Sequence, residues 1–479
     1  MSIDRREFIR RSGAGALAAA AGGGIADAMS GARAARPNVV FVFADQWRAQ
    51  ATGYAGDPNV HTPHVDRLRA ESVDFSTAVS TCPVCSPYRG SLLTGQYALT
   101  HGVFMNDVPL RDEAVSIAEA YKAAGYDTAY IGKWHLDGRG RSKYIPRERR
   151  QGFDYWKVLE CTHNYHQSPY YADGPEQRFW DGYDAIAQTR DAQQYLRGRT
   201  GGRPFLLMLS WGPPHNPYET APEQYRRMYD PDALVLRENV PDDAAAWARR
   251  DLAGYYAHCS ALDDCVGDLL RTLDEAGLAE NTVFVFTSDH GDMLGSQGQM
   301  RKQRPYDESI RVPFLLRYPA ALGRAGRLIT KPLGTPDILP TLLGLCNVAA
   351  PPGVEGADFS PLLRGDKSDG DGAALIACYA PFGEWTRKGG GREYRGIRTR
   401  RHTYVRDLDG PWLLYDNESD PFQKNNLVGT AAARSIEAEL DATLREILRA
   451  QRDAFLHGDH YIRQWGYPTD ETGTVPYTP

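Results

Sequence analysis

Four short, unbroken apolar runs punctuate the chain: Asn38–Phe43 (NVVFVF), Thr128–Ile131 (TAYI), Phe205–Leu209 (FLLML) and Thr282–Phe286 (TVFVF). Their continuity, without polar alternation, predicts strands buried on both faces, the habit of a parallel sheet. Helical patterns lie between them, as at Ala114–Ala124 and Tyr255–Ala276. Strands and helices in alternation predict an α/β fold with a mainly parallel sheet between helices. The polar, Gly-rich segment Gly365–Gly372 (GDKSDGDG) then marks a loop or boundary. Beyond it come strand-like pieces such as Arg401–Arg406, and one helix in which Ile436, Leu440, Leu444, Ile447 and Leu448 recur at helical spacing. The expected organisation is a large domain over 35–370 and a smaller α+β subdomain over 371–479, with a short antiparallel sheet and a helix.

Each apolar run leads directly into residues able to do chemistry. The first reaches Asp45-Gln46, the second Lys133 and His135, the third His215, and the fourth Asp289-His290. Open α/β sheets bind ligands outside the carboxyl ends of their strands, so these clusters are expected to converge on one site.

Composition narrows the partner. A net charge of −6 and a pI near 6.1 give no general attraction to nucleic acid. An anionic substrate would need a local positive site, made by a metal or a few placed cations. At the N-terminus, Asp4-Arg5-Arg6-Glu7-Phe8-Ile9-Arg10-Arg11 precedes a weakly apolar Ala/Gly run, Ser12 to Ile25. This resembles a twin-arginine signal over residues 1–34, with Ala-x-Ala cleavage candidates at Ala26-Asp27-Ala28 and Ala32-Arg33-Ala34. It predicts a periplasmic or secreted protein carried by the twin-arginine (Tat) export machinery. No later stretch is long and apolar enough to cross a bilayer. Seven cysteines are an odd count and too sparse for a disulfide scaffold.

Chemistry concentrates in Cys85-Ser86-Pro87-Tyr88-Arg89-Gly90-Ser91-Leu92-Leu93-Thr94-Gly95. This segment resembles the sulfatase signature, in which Cys-x-Pro-x-Arg is read by a formylglycine-generating enzyme that oxidises the Cys to formylglycine. Tyr88 stands where the family usually has a small residue. A rival reading takes Cys82-Pro83-Val84-Cys85 as a thiol redox pair or half a zinc site, but no second Cys-x-x-Cys exists.

The resemblance continues along the chain and implies an alkaline phosphatase-like fold. By it, Asp45, Gln46, Cys85, Asp289 and His290 are the metal ligands. Lys133 and His135 match an active-site pair, His215 a second active-site His, Lys302 a sulfate-contacting Lys, and Asn106 a further polar contact with substrate. The oxygen-rich ligand set favours Ca²⁺, while His290 leaves Mn²⁺ or Mg²⁺ open. Arg89, Lys133 and Lys302 would supply fixed positive charge where negative charge develops. The implied reaction is attack of the hydrated aldehyde on sulfur, with His215 as general acid for the leaving alcohol and His135 as base in the release of sulfate. The implied substrate is a sulfated small molecule or, first, a sulfated oligosaccharide. Two rivals stand beside this reading: a phosphonate monoester or phosphodiester hydrolase of the same superfamily, and a non-catalytic exported glycan-binding protein. The aromatic and His-rich stretch Gly152–Tyr183 would either line a sugar cleft or pack an insertion.

Overall fold

The computed structural model describes residues 36–199, 202–365 and 370–477. The expected export signal, residues 1–34, lies outside them. Eight strands build the main sheet: β1 (Asn38–Asp45), β2 (Val73–Phe75), β3 (Asp127–Lys133), β4 (Tyr155–Leu159), β5 (Phe205–Pro214), β6 (Thr282–Ser288), β7 (Phe314–Arg317) and β8 (Arg327–Ile329). Their spatial order is β8-β2-β7-β6-β1-β5-β3-β4. From β6 to β4 all neighbours run parallel, while β7 lies antiparallel to both β6 and β2.

The alternation of side chains along β1 shows why its apolar run is continuous. Val39, Phe41 and Phe43 pack on one face with Leu92 and Leu93 of α1 (Cys85–Thr94). Val40, Val42 and Ala44 pack on the other with Ala192 and Leu196 of α2 (Asp184–Arg197) and Leu262, Val266 and Leu269 of α3 (Ala245–Glu275). Leu342 and Leu343 of α4 (Thr335–Leu345) complete the first face. Each such fully buried aliphatic side chain contributes about 1.5–3 kcal/mol, so both faces must be covered.

The smaller sheet is an antiparallel meander: β9 (Ala373–Cys378), β10 (Tyr394–Thr399), β11 (His402–Asp407) and β12 (Gly410–Asp416). Ala374, Ile376 and Cys378 turn toward Val79 and Ile310 of the main body. Leu375 and Ile397 turn the other way, onto Leu440, Leu444 and Leu448 of α5 (Arg434–Ala450), as the helical spacing required. No helix among the described residues is long and apolar enough to cross a membrane.

The aromatic stretch at 152–183 resolves largely as packing. Phe153 and Trp156 are 2% and 3% exposed and interlock with Tyr130 and Trp134. Trp156 belongs to β4, which the apolar pattern did not reveal.

Candidate active site

Four strand ends deliver their polar residues to one edge of the sheet. Asp45 closes β1, and Gln46 then takes a left-handed conformation (φ 75°) that turns the chain off the sheet. Two bonds hold it there: the Gln46 N–H donates to Asp289 Oδ1 at 2.9 Å, and the Tyr255 hydroxyl donates to the Gln46 carbonyl at 2.8 Å. At the end of β3, Gly132 has φ 102°, and a Cβ there would lie 2.0 Å from the Ser210 carbonyl. Only glycine lets β3 approach β5 this closely before Lys133 and His135. His215 follows β5, between two cis peptide bonds, Pro213–Pro214 and Asn216–Pro217.

Helix α1 starts at Cys85, which places its side chain at the positive end of the helix. Asn106 Oδ1 accepts the Ser86 N–H at 3.0 Å, satisfying one of the free amides there. Tyr88 points away into the core, against Phe43.

Asp45, Cys85, Asp289 and His290 are all buried, with potential ligand atoms within 4.8 Å of one another. Arg89 clamps the carboxylates from below: Nη2 donates to Asp45 Oδ2 at 3.2 Å and to Asp289 Oδ2 at 3.1 Å. Its Nη1 donates to the Lys133 carbonyl and to Ser210 Oγ, so both ends of the guanidinium are used in holding the site. Burial pushes the Asp45 carboxyl up, but Lys133, His215, Lys302 and His290 together hold it well below the ordinary range. Lys133 Nζ donates to Asp45 Oδ2 at 2.6 Å. Asp289 behaves oppositely: burial and the neighbouring Asp45 raise it to about 6.

This donor set fits a divalent cation. Two carboxylates facing each other in a dry site repel, and a cation relieves that repulsion. His290 donates Nδ1–H to the Gly291 carbonyl at 2.9 Å, leaving the lone pair of Nε2 directed at the cluster, 3.3 Å from Cys85 Sγ. Gln46 donates from Nε2 to Asp292 Oδ2 at 2.6 Å, which turns Oε1 the other way, where it accepts from Lys302 Nζ at 3.2 Å.

Above this floor opens a cleft of about 220 Å³ whose lining includes Cys85, Asn106, Lys133, His135, His215 and Lys302. Lys302 Nζ lies 3.4 Å from Cys85 Sγ and donates to His215 Nε2 at 2.8 Å. His215 Nδ1 in turn faces the Asn216 carbonyl at 3.0 Å. His135 Nε2 meets Asp107 Oδ1 at 3.2 Å, and its Nδ1 has no partner. Burial opposes a charge on His135, yet Cys161 and the hydrogen bond to Asp107 raise its pKa to about 10. Burial and Asp45 likewise oppose ionisation of the Cys85 thiol, while Lys133, Lys302 and His290 bring it well below its usual value.

Asp45, Gln46, Cys85, Arg89, Asn106, Lys133, His135, His215, Asp289, His290 and Lys302 all come together in this one site. The redox or zinc reading of the Cys82–Cys85 pair is corrected: Cys82 is outside the ligand group, and burial lifts its thiol to about 12. Sequence reasoning missed Asp107, Arg141, Cys161, Glu384, Thr474 and Tyr477, which also line the cleft, whereas His163, from the aromatic and His-rich stretch, does line it and stacks on His215 at 4.7 Å. The missed residues sit on loops and carry no strand-end signal.

Residues 37–348 match the family model described as Sulfatase. The chain belongs to the sulfatase family. Residues 295–451 of this sulfatase also match a model described as N-sulphoglucosamine sulphohydrolase, C-terminal. An ulvan-active sulfatase of Formosa agariphila is 48% identical over 438 residues, covering 90% of this chain and 85% of that protein. An endo-4-O-sulfatase of Bacteroides thetaiotaomicron is 33% identical, covering 87% and 93% of the two chains. A solved structure from work on glycosaminoglycan metabolism in Bacteroides thetaiotaomicron superposes with a TM-score of 0.80 at 30% identity, over 90% of this chain and 99% of that one. A phosphonate monoester hydrolase of Agrobacterium radiobacter shares the fold, with a TM-score of 0.71 at 24% identity over 93% and 100% of the chains. This sulfatase is thus an enzyme, a sulfuric ester hydrolase on an alkaline phosphatase-like fold.

Proposed function

We propose that this sulfatase removes sulfate from a sulfated glycan, with residue 85 acting as formylglycine beside a divalent cation, Ca²⁺ before Mn²⁺ or Mg²⁺. One observation carries the reading: Cys85, at the head of α1, meets the Asp45–Asp289–His290 group and the ammonium of Lys302 on the floor of a single cleft. The names of the ulvan-active and endo-4-O-sulfatase relatives support a polysaccharide substrate. Export through the twin-arginine route, on the strength of residues 1–34, would bring the enzyme to such a polymer.

Asp45, Gln46, Asp289 and His290 would hold the cation, which when bound polarises a sulfate oxygen. Residue 85, once oxidised and hydrated, supplies the hydroxyl that attacks sulfur and the second hydroxyl through which sulfate is expelled. Lys133 and Lys302 place positive charge around the sulfuryl oxygens, and Arg89 keeps both carboxylates in position. His135, which Asp107 orients through Nε2, would act as base from its neutral form, with Nδ1 left to take the proton of residue 85. The Lys302–His215 pair stands opposite and hands a proton to the leaving alcohol.

Turnover of 4-nitrophenyl sulfate against the matching phosphonate ester tests the assignment. Faster hydrolysis of the sulfate is expected, and preference for the phosphonate would move the enzyme to the rival class. His215→Ala should lower kcat on a sugar sulfate by about 10²–10⁴-fold. The loss should be much smaller on 4-nitrophenyl sulfate, whose leaving oxygen needs no proton. An equal loss on both would mean that His215 only positions Lys302.

A further inference from the structure

At the mouth of the cleft one cation is only partly occupied. Arg141 donates Nε and Nη2 to the two oxygens of Asp107, at 2.9 and 2.8 Å. Its guanidinium carbon lies 3.7 Å from the centroid of the Tyr477 ring. Those contacts use one edge and one face of the planar fork and leave Nη1 without a hydrogen bond among the described residues. The side chain is 20% exposed and lines the cleft.

Holding Asp107 alone does not require this placement, because Asp107 is already engaged by His135 at 3.2 Å. The cleft volume of about 220 Å³ falls below the roughly 300–1,000 Å³ of ordinary ligand pockets. It accommodates the sulfated end of a substrate and leaves the remainder at the mouth, against Arg141, Glu384, Thr474 and Tyr477. Glu384 is drawn toward Arg301, at 3.7 Å, so Arg141 presents the free cationic edge there. An unpaired guanidinium edge beside an aromatic ring suits an oxyanion carried on a sugar.

We propose that Arg141, with Tyr477 beside it, recognises a second negative group of the substrate, a carboxylate or a second sulfate carried close to the sulfate ester that is cleaved. This rests on the sulfated-glycan reading above and adds that the glycan is multiply anionic around the scissile ester.

The test compares the native enzyme with Arg141→Ala, Arg141→Lys and Asp107→Asn. Four probes are used: 4-nitrophenyl sulfate, sulfated uronate-containing oligosaccharides, the same oligosaccharides after carboxyl reduction, and disulfated neutral oligosaccharides. Arg141→Ala should lose on the order of 10- to 100-fold in kcat/KM, mostly in KM, on a probe bearing the second anion. Its loss on 4-nitrophenyl sulfate and on the reduced sugars, where only the support of Asp107 is removed, should be several-fold smaller than on the anionic probe, and Arg141→Lys should recover part of the difference. Loss on the uronate probe identifies a carboxylate, and loss on the disulfated probe a sulfate. Asp107→Asn should lose on all probes alike. The same uniform loss in Arg141→Ala would overturn the proposal by reducing Arg141 to a support for Asp107. Native enzyme that cleaves 4-nitrophenyl sulfate but is no faster on anionic than on reduced sugars would also overturn it. No turnover of any sulfate ester would instead contradict the proposed function, and this inference with it.

Discussion

Cys85→Ser should leave a folded protein whose sulfate-ester turnover is lower by about 10⁴-fold or more, the scale of losing a nucleophile. The side chain is 1% exposed and small, so exchanging sulfur for oxygen disturbs little packing. The helix end, Lys302 and the Asp45–Asp289–His290 group all remain to bind and polarise the ester. A serine hydroxyl there can still attack sulfur, but it has no second hydroxyl on the same carbon to expel sulfate. The variant should therefore stop after one event and carry a sulfuryl group on residue 85, which intact-mass measurement after substrate exposure would show. An unchanged melting temperature with multiple turnovers would mean that the nucleophile lies elsewhere.

Asp45→Asn is the second large effect, because this carboxylate serves two purposes. It belongs to the ligand group, and it is the partner of Lys133 at 2.6 Å and of Arg89 at 3.2 Å. The amide keeps the shape but removes the charge that balances two buried cations. Metal content per chain, measured by elemental analysis, should fall well below that of the native protein. Hydrolysis should fall by roughly 10²–10³-fold, as for loss of a preorganised electrostatic contact. Lost charge-assisted hydrogen bonds should cost about 1.5–3 kcal/mol of stability, readable in a denaturant titration without metal. Native metal content and native activity together would remove Asp45 from the ligand set.

Much of this site was legible in the sequence because of how β1, β3, β5 and β6 end. Each apolar run stops short of its strand: at Phe43, Ile131, Leu209 and Phe286, whereas the strands continue to Asp45, Lys133, Pro214 and Ser288. Asp45 and Lys133 belong to the sheet itself and Asp289 follows it directly, and their burial is tolerated because they and Arg89 satisfy one another. The helix over Tyr255–Ala276 was visible in part. The structure extends it back to Ala245, through Arg249, Arg250 and Asp251, where the apolar pattern thins. Strand β4 was hidden because Tyr155 and Lys157 alternate with Trp156 and Val158 near the edge of the sheet. Asp107 and Arg141 could not be read, since loops bring them to the cleft and only tertiary contacts give them partners. Thr474 and Tyr477 reach the cleft from far along the chain, where the Gly383 N–H donates to the Thr472 carbonyl. No local spacing encodes such a return.

The most direct test of the whole account is the chemical state of residue 85 in active enzyme purified from its native host. Peptide mass spectrometry on the fragment containing Cys85, with and without an aldehyde-trapping reagent, reads that state. An aldehyde in place of the thiol, captured by the reagent, is the predicted result. An unmodified thiol in protein that turns over sulfate esters would contradict it.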